Sequence, residues 1–221
     1  MKAEFANRRE AGWRLASQLD QYVSRPDVIV LALPRGGVPV GFEVAKYLNV
    51  PLDVFVVRKL GVPGHEELAM GAIASGGTRV LNKDLIQMLR LRESVVDQVA
   101  AHEGQELLRR ESAYRAGRPA LHVEGKVVIL VDDGIATGAT MRAAIAALRQ
   151  LQAGWIIIAA PVIALDSFNV LRGQADDIVA VLAPEDFRGV GQWYEDFSQT
   201  TDQEVRELLE EADRNLVRAG V

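Results

Sequence analysis

The sequence predicts an α/β protein with a parallel sheet and helices on both faces. Three observations carry that prediction. First, residues 28–33 (Val-Ile-Val-Leu-Ala-Leu) and 127–131 (Val-Val-Ile-Leu-Val) are short unbroken apolar runs, the mark of strands buried on both faces. Second, segments with apolar residues at helical spacing alternate with such runs along most of the chain. Third, 221 residues with 49% apolar and 25% charged composition are enough to bury a sizeable core as one large domain or one domain with an accessory lobe.

Residues 7–23 read as an amphipathic helix, because Trp13, Ala16, Leu19 and Val23 recur at helical spacing. The first strand over 28–33 is ended by Pro34-Arg35-Gly36-Gly37, and a helix is expected over 38–48. Residues 52–57 form the next strand. Gly61-Val62-Pro63-Gly64 then breaks the pattern, and residues 69–81 suggest a hairpin around Ser75-Gly76-Gly77-Thr78. Residues 82–118 return to helix, with Ser94 as an N-cap and a dense set of charges that implies a solvated face. The strand over 127–131 is followed by a glycine-containing loop and a helix over 139–151. Further strands are expected over 155–160 and 178–182, and Val205, Leu208, Leu209 and Leu216 outline a closing helix. In open parallel sheets ligands bind beyond the carboxyl ends of the strands, which directs attention to Leu33, Val57 and Val131.

Composition removes several function classes. The net charge of −5 lacks the field of a general nucleic-acid binder, so a polyanionic ligand must be held by a local site. The chain has no cysteine, and its three histidines are scattered, which argues against thiolate or histidine-rich metal centres. The N-terminus lacks the apolar stretch of a signal peptide, and the apolar runs are too short to cross a bilayer, so a cytoplasmic protein is expected.

The clearest chemistry follows the 127–131 strand: Asp132-Asp133-Gly134-Ile135-Ala136-Thr137-Gly138-Ala139-Thr140. A loop of small residues running into a helix N-terminus offers backbone N–H groups to an anion. Thr137 and Thr140 add hydroxyls, and Gly138 lets the backbone come close to a phosphate. Two carboxylates beside a phosphate cradle would repel the ligand unless they accept hydrogen bonds from sugar hydroxyls or help hold a divalent cation. A P-loop would need Lys-Ser or Lys-Thr after its glycine, and no lysine follows Gly138.

These fourteen residues resemble the signature of the type I phosphoribosyltransferases, an apolar strand, an acidic pair and a Thr-Gly-x-Thr loop. The resemblance implies the type I fold, a Rossmann-like parallel sheet with helices on both faces plus a small hood and a helical insertion. It implies one domain over 1–221, with a flexible loop and insertion at about 60–123 and a hood from about 184–200. By the same resemblance, Asp132 and Asp133 bind the ribose hydroxyls of 5-phosphoribosyl-1-pyrophosphate and help hold Mg²⁺, while Ala136, Thr137, Gly138, Ala139 and Thr140 bind the 5′-phosphate. Arg35, Gly36 and Gly37 look like the family's pyrophosphate loop, which often holds a cis peptide not preceding proline, expected here at Pro34–Arg35. Arg58-Lys59 resembles the segment leading into the catalytic loop of adenine phosphoribosyltransferases, where the cations meet the leaving pyrophosphate. Residues 61–77 would then form a lid.

The spacing Phe187-x-x-Val190-Gly191-x-x-Tyr194 looks like the segment with which 6-oxopurine enzymes stack the base, and Phe187 is the stacking candidate. Trp193 and Tyr194 read equally as base contacts or as packing. The position of Ala136 carries an aspartate in the 6-oxopurine enzymes and alanine in the adenine enzymes. Residues 82–123 have no counterpart in the resemblance, and the acceptor stays open. The implied reaction is transfer of ribose 5-phosphate to a nitrogen acceptor such as a nucleobase, as in purine salvage, with release of pyrophosphate. Asp132, Asp133, Arg35 and Lys59 are its expected catalytic residues. A regulatory protein of the same fold that senses nucleotides or phosphoribosyl pyrophosphate is the alternative. Arg109, Arg110, Arg115 and Arg118 would supply a basic face for nucleic acid, although an ordinary solvated face is the simpler reading. The resemblance also implies a homodimer.

Overall fold

The computed structural model describes residues 3–115 and 117–219. Helix α1 (Arg8–Ala16) leads into strand β1 (Val28–Ala32), helix α2 (Gly37–Leu48) and strand β2 (Leu52–Val54). An antiparallel excursion follows through β3 (Val57–Val62), β4 (His65–Ala74) and β5 (Thr78–Leu81), then helices α3 (Lys83–Met88) and α4 (Glu93–Arg115). The chain returns through β6 (Val127–Val131), α5 (Ala139–Gln150), β7 (Trp155–Val162), α6 (Leu165–Leu171), β8 (Asp177–Leu182) and α7 (Asp202–Ala219).

The main sheet has five parallel strands in the order β2-β1-β6-β7-β8. Alternation along each strand splits the core in two. Val28, Val30, Ala32, Ile129 and Val131 face α1, α2 and α7, whereas Ile29, Leu31, Val128 and Leu130 face α5. Burying each such branched side chain stabilises the fold by about 1.5–3 kcal/mol before entropy is charged against it. Strand order reverses between β1 and β6, so the loops after these two strands flank the crevice where doubly wound sheets take ligands.

Asn7 caps α1, its side-chain oxygen accepting from the Arg9 and Glu10 amides at 3.0 Å each. The helix stops at Ala16, and a 3₁₀ turn at Asp20–Tyr22 shifts the spacing expected over 7–23. Ala16 and Leu19 are buried as that spacing requires, but Trp13 and Val23 are exposed, and Leu15 takes the inward position. Gly12 lets α1 cross α2 closely, since a Cβ there would lie 2.8 Å from the Val40 carbonyl oxygen.

The apolar run 52–57 is not one strand. It leaves the parallel sheet after Val54, and Val57 begins an antiparallel sheet in the order β3-β4-β5. Buried Ser75 fixes this exit: its Oγ accepts from the Val56 amide and its own amide donates to the Val56 carbonyl, both at 2.9 Å. The hairpin expected over 69–81 is the β4–β5 pair, and residues 61–77, the expected lid, are parts of β3 and β4 with the turns that follow them. One face of this sheet (Leu60, Val62, Met70, Ile73) joins the core with α4, and the other (Val57, Ala74, Val80) packs with α5.

Helix α4 starts one residue before Ser94, so Ser94 is not its cap. It is less solvated than its charges suggest, because Val96, Ala100, Leu107 and Tyr114 form a buried stripe. Arg115 and Arg118 do not contribute a basic face either. Arg115 grips buried Asp53 with two bonds of 2.9 and 2.8 Å, and Arg118 reaches Asp53 and Asp213. Arg109 and Arg110 both pair with Glu106, holding its carboxyl down at about 2. No helix among the described residues is long and apolar enough to cross a membrane.

Candidate active site

Beyond β6 the chain makes a tight cradle before α5. Gly138 takes a left-handed conformation (φ 69°) and stands at the N-cap of α5 with no side-chain cap. The Ala139 amide donates to Thr137 Oγ1 at 3.4 Å, and the amides that follow it in the first turn are available to an anion, in the partial positive field of the helix end. Arg142 closes the loop from the helix side: its Nη1 donates to the Thr137 carbonyl and its amide to the Gly138 carbonyl, both at 2.8 Å. Beneath the loop, Ser167 of α6 donates to the Ala136 carbonyl, and Leu171 packs under Gly138. The resulting pocket of about 180 Å³ is lined by Asp132, residues 134–141 and Val190. Ala136, Thr137, Ala139 and Thr140 are exposed at its mouth.

The two carboxylates part company. Asp132 lines the cradle and turns its Oδ1 back to accept from the Asp133 amide at 2.9 Å. Burial pushes the Asp132 carboxyl well above the usual carboxylate range, and the neighbouring Asp133 charge adds to this. Asp133 turns to the other side and does not line the cradle. Its Oδ2 accepts from Arg8 Nε at 2.7 Å, in a pair whose side chains are only 11% and 13% exposed. Its carbonyl accepts from the Tyr194 hydroxyl. Burial, with the Asp133 charge second, drives the Tyr194 phenol far above its ordinary value, so it stays protonated.

The loop after β1 packs against the acidic pair from the other bank of the crevice. The Pro34–Arg35 peptide is cis, as the resemblance implies. A Cβ on Gly36 would lie 2.0 Å from Asp133 Oδ2, and one on Gly37 would lie 2.8 Å from the Val131 carbonyl oxygen and 3.0 Å from Asp132 Cα. Only glycine lets the two loops touch in this way. The Arg35 guanidinium lies 3.4 Å from Asp202 Oδ1, which also accepts from Tyr114 at 3.2 Å.

Arg58 and Lys59 fall elsewhere. They sit on β3 rather than beyond a parallel strand, and Arg58 pairs with Glu103 of α4 at 2.6 Å. Along α4, Glu103 is eleven residues before Tyr114, roughly 16 Å at the helical rise. Both basic residues line a separate cleft of about 640 Å³ with Val95, Val99, His102 and Glu66. Phe187 packs on Trp193, with ring centroids 6.3 Å apart, in a small cluster with Phe5, Val162 and Tyr194. That cluster docks on the cradle through Val190, because a Cβ on Gly134 would strike Val190 Cγ1 at 2.4 Å. Val190 and Tyr194 thus border the site, and their segment is tied to the N-terminal one, Phe5 being hydrogen-bonded to Trp193 and Glu195.

The structure thus gathers Asp132, Asp133, Gly36, Gly37, Arg35 and residues 136–140 around one crevice and leaves Arg58 and Lys59 outside it. Sequence reasoning missed Arg8, Ser167 and Asp202, and of the two roles left open for Tyr194 the contact observed is packing, with its hydroxyl on the Asp133 carbonyl. Arg8 and Asp133 are 125 residues apart, and no local pattern links them.

The phosphoribosyl transferase domain family matches residues 6–177. A "Putative phosphoribosyl transferase" of Mycobacterium tuberculosis is 46% identical over 216 residues, 98% of this chain and 48% of the relative. The chain thus spans about half the length of the curated relatives it matches. Among solved structures, the protein TT1426 of Thermus thermophilus is 40% identical with a TM-score of 0.84, covering 94% of this chain and 98% of that one. The AQ2163 protein of Aquifex aeolicus, 11% identical with a TM-score of 0.50 over 83% of this chain and 78% of its own, shares the fold alone.

Proposed function

The chain belongs to the phosphoribosyl transferase family and has its type I fold, and from that premise we propose that it moves ribose 5-phosphate from 5-phosphoribosyl-1-pyrophosphate to a nitrogen acceptor, a nucleobase foremost, releasing pyrophosphate. One observation carries this reading: the Gly36-Gly37 loop presses against a partly buried acidic pair at the point where strand order reverses. A phosphate on the α5 cradle, a sugar over Asp132 and a pyrophosphate along Arg35-Gly36-Gly37 fill that crevice in the order in which the substrate carries them.

The amides of residues 137–140 and the Thr137 and Thr140 hydroxyls hold the 5′-phosphate. Asp132 accepts a ribose hydroxyl proton in a hydrogen bond and stabilises the ring as it gains positive character at C1. Arg35 and the amides of Gly36 and Gly37 face the charge growing on the leaving pyrophosphate. Lys59 and Arg58 take part only if β3 shifts toward the crevice, because in this arrangement Arg58 is held by Glu103. The hood, with Phe187, stacks on a planar acceptor and excludes water from the sugar.

The donor set fits Mg²⁺ that arrives with the substrate. Among the described residues no three or more His, Asp or Glu side chains converge on a metal site. Asp132 and Asp133 offer the one or two carboxylates that Mg²⁺ uses when phosphates complete its shell. Bound there, Mg²⁺ would offset charge on the pyrophosphate and its ribose. The chemistry is that of a cytoplasmic salvage enzyme, and a homodimer is its expected assembly.

The test is a panel of nucleobases and amines incubated with phosphoribosyl pyrophosphate and Mg²⁺ and scored by pyrophosphate release. At least one acceptor should release pyrophosphate in step with substrate loss. Heat of binding without turnover for any acceptor would favour a sensing role, and no heat at all would remove the substrate assignment.

A further inference from the structure

Resting on that reading, we propose that Asp202 and Tyr114 are positioning residues that aim the Arg35 guanidinium at the leaving pyrophosphate, so that the helical segment after β5, which has no counterpart in the resemblance, has its far end built into the active site. One oxygen makes the juxtaposition. Asp202 Oδ1 lies 3.4 Å from Arg35 Nη1 and accepts from the Tyr114 hydroxyl at 3.2 Å. Arg35 belongs to the glycine loop after β1, Tyr114 stands one residue from the end of α4, and Asp202 opens α7.

The Tyr114 side of this contact is fixed. Tyr114 is buried, and a buried phenol hydroxyl needs an acceptor, which Asp202 supplies. Burial, with the Asp202 charge second, raises the Tyr114 phenol above its ordinary value, so the hydroxyl stays a donor. Two further bonds tie the end of α4 and the residues after it to α7. Arg206 Nη1 donates to the Ala113 carbonyl at 3.2 Å, and Arg118 Nη2 donates to the Leu209 carbonyl at 3.0 Å. Val205 and Leu208 of α7 share a core cluster with Tyr114. Asp202 is thereby carried on a rigid corner.

The Arg35 side is open. The Arg35 and Asp202 side chains are 35% and 42% exposed, and among the described residues Asp202 is the one hydrogen-bond partner of the Arg35 guanidinium. A guanidinium carries several N–H donors, and a single long contact sets its direction while leaving the rest of the fork to a phosphate. Two short bonds, such as those with which Asp53 grips Arg115, would withhold it instead. Holding a long side chain in the direction its ligand needs spares part of the entropy lost on binding.

The experiment is calorimetry on the full chain with two ligands: pyrophosphate with Mg²⁺, which meets Arg35, and ribose 5-phosphate, which does not. Asp202→Ala should weaken pyrophosphate by up to about five-fold, the reach of one half-exposed ion pair, and leave ribose 5-phosphate unchanged. Deleting a carboxylate beside an anion would by itself tighten binding, so a weaker Kd reports lost aim. Tyr114→Phe should act in the same direction with a smaller effect, and Asp202→Asn, which keeps the acceptor oxygen, should lose less than Asp202→Ala. In an Arg35→Met background, itself weaker for pyrophosphate, Asp202→Ala should change nothing further. Thermal melts establish folding. Should Asp202→Ala not fold, Asp202→Ser, a residue at home near a helix start but too short to reach Arg35, should show the same loss. Pyrophosphate bound equally or more tightly by the variant, both ligands weakened alike, or the same loss on top of Arg35→Met overturns the proposal and leaves the substrate assignment standing. A wild-type chain that binds neither ligand nor phosphoribosyl pyrophosphate removes that assignment and the proposal with it, and no variant is needed to see this.

Discussion

The loop contact at Gly36 and Gly37 can be tested by adding one methyl group at each. Gly37→Ala puts a Cβ 2.8 Å from the Val131 carbonyl oxygen and 3.0 Å from Asp132 Cα, so the obstacle is backbone that cannot turn aside. Overpacking of this kind costs about 1–3 kcal/mol. Gly37 opens α2, where alanine gains up to about 1 kcal/mol in helix propensity. The net loss should be about 1–2 kcal/mol, or roughly 2–8 °C in Tm for a domain of this size. Gly36→Ala meets a different obstacle, the end of the Asp133 side chain at 2.0 Å. A carboxylate end would ordinarily move cheaply, but this one is pinned by Arg8 at 2.7 Å. Moving it breaks an ion pair that is almost fully buried, which costs up to about 3–5 kcal/mol when neither charge finds a new partner. Gly36→Ala should therefore be the more damaging of the two, by thermal or urea melts, and should also weaken phosphoribosyl pyrophosphate binding by calorimetry. Adding Asp133→Ala removes the obstacle, so the double variant should be less destabilised than the sum of the singles. Additive losses, or a Gly36→Ala protein within about 0.5 kcal/mol of wild type, a change typical of a featureless surface site, would refute the packing argument.

Two further outcomes follow from the same crevice. Asp132→Asn should raise Tm at neutral pH while abolishing substrate binding. Burial and Asp133 raise the Asp132 carboxyl above its unfolded value, so its stabilising share is complete only at pH below the ordinary aspartate range and is lost as pH climbs through the raised value; the advantage of the variant should accordingly shrink on acidification, and a lower Tm at neutral pH would contradict it. Ser167→Ala should cost about 1 kcal/mol, the worth of one hydrogen bond, because it frees the Ala136 carbonyl, and should weaken substrate affinity by loosening the cradle. Unchanged affinity in a folded Ser167→Ala protein would show that the loop holds its shape unaided.

What the sequence discloses and what it hides divide along the range of the interactions. The β6 strand, the cradle and the start of α5 were legible to the residue, because an apolar run, an acidic pair and a glycine next to a helix start act within a few positions of one another. The exit of the chain from the sheet after Val54 was not. Residues 52–57 are uniformly apolar apart from Asp53, and the group that ends the strand early, Ser75, lies 19 residues beyond Val56. Helix α6 escaped notice because seven residues barely complete two turns of periodicity, although its Ser167 holds the cradle. The charges of α4 misled for a related reason. Arg115 and Arg118 look like solvent-facing residues until the fold brings them to Asp53, 62 residues from Arg115. Arg8 is the extreme case, meeting its partner 125 residues further along the chain.

The acidic balance of the chain and the anionic ligand assigned to it are reconciled by distance. At physiological ionic strength a charge is largely screened beyond about 8 Å, so the net −5 says little about a crevice whose walls are set within that radius. Inside it the fixed charges are matched, Arg35 against Asp202 and Arg8 against Asp133. Arg142 closes the cradle, Arg35 borders the glycine loop, and the uncapped amides of α5 add the positive end of a helix. Asp132 is the one carboxylate that lines the cradle itself, and burial already disfavours its charged form until a hydroxyl or a cation meets it. A hydroxyl or a cation that meets Asp132 must therefore offset the cost that burial places on its ionised form.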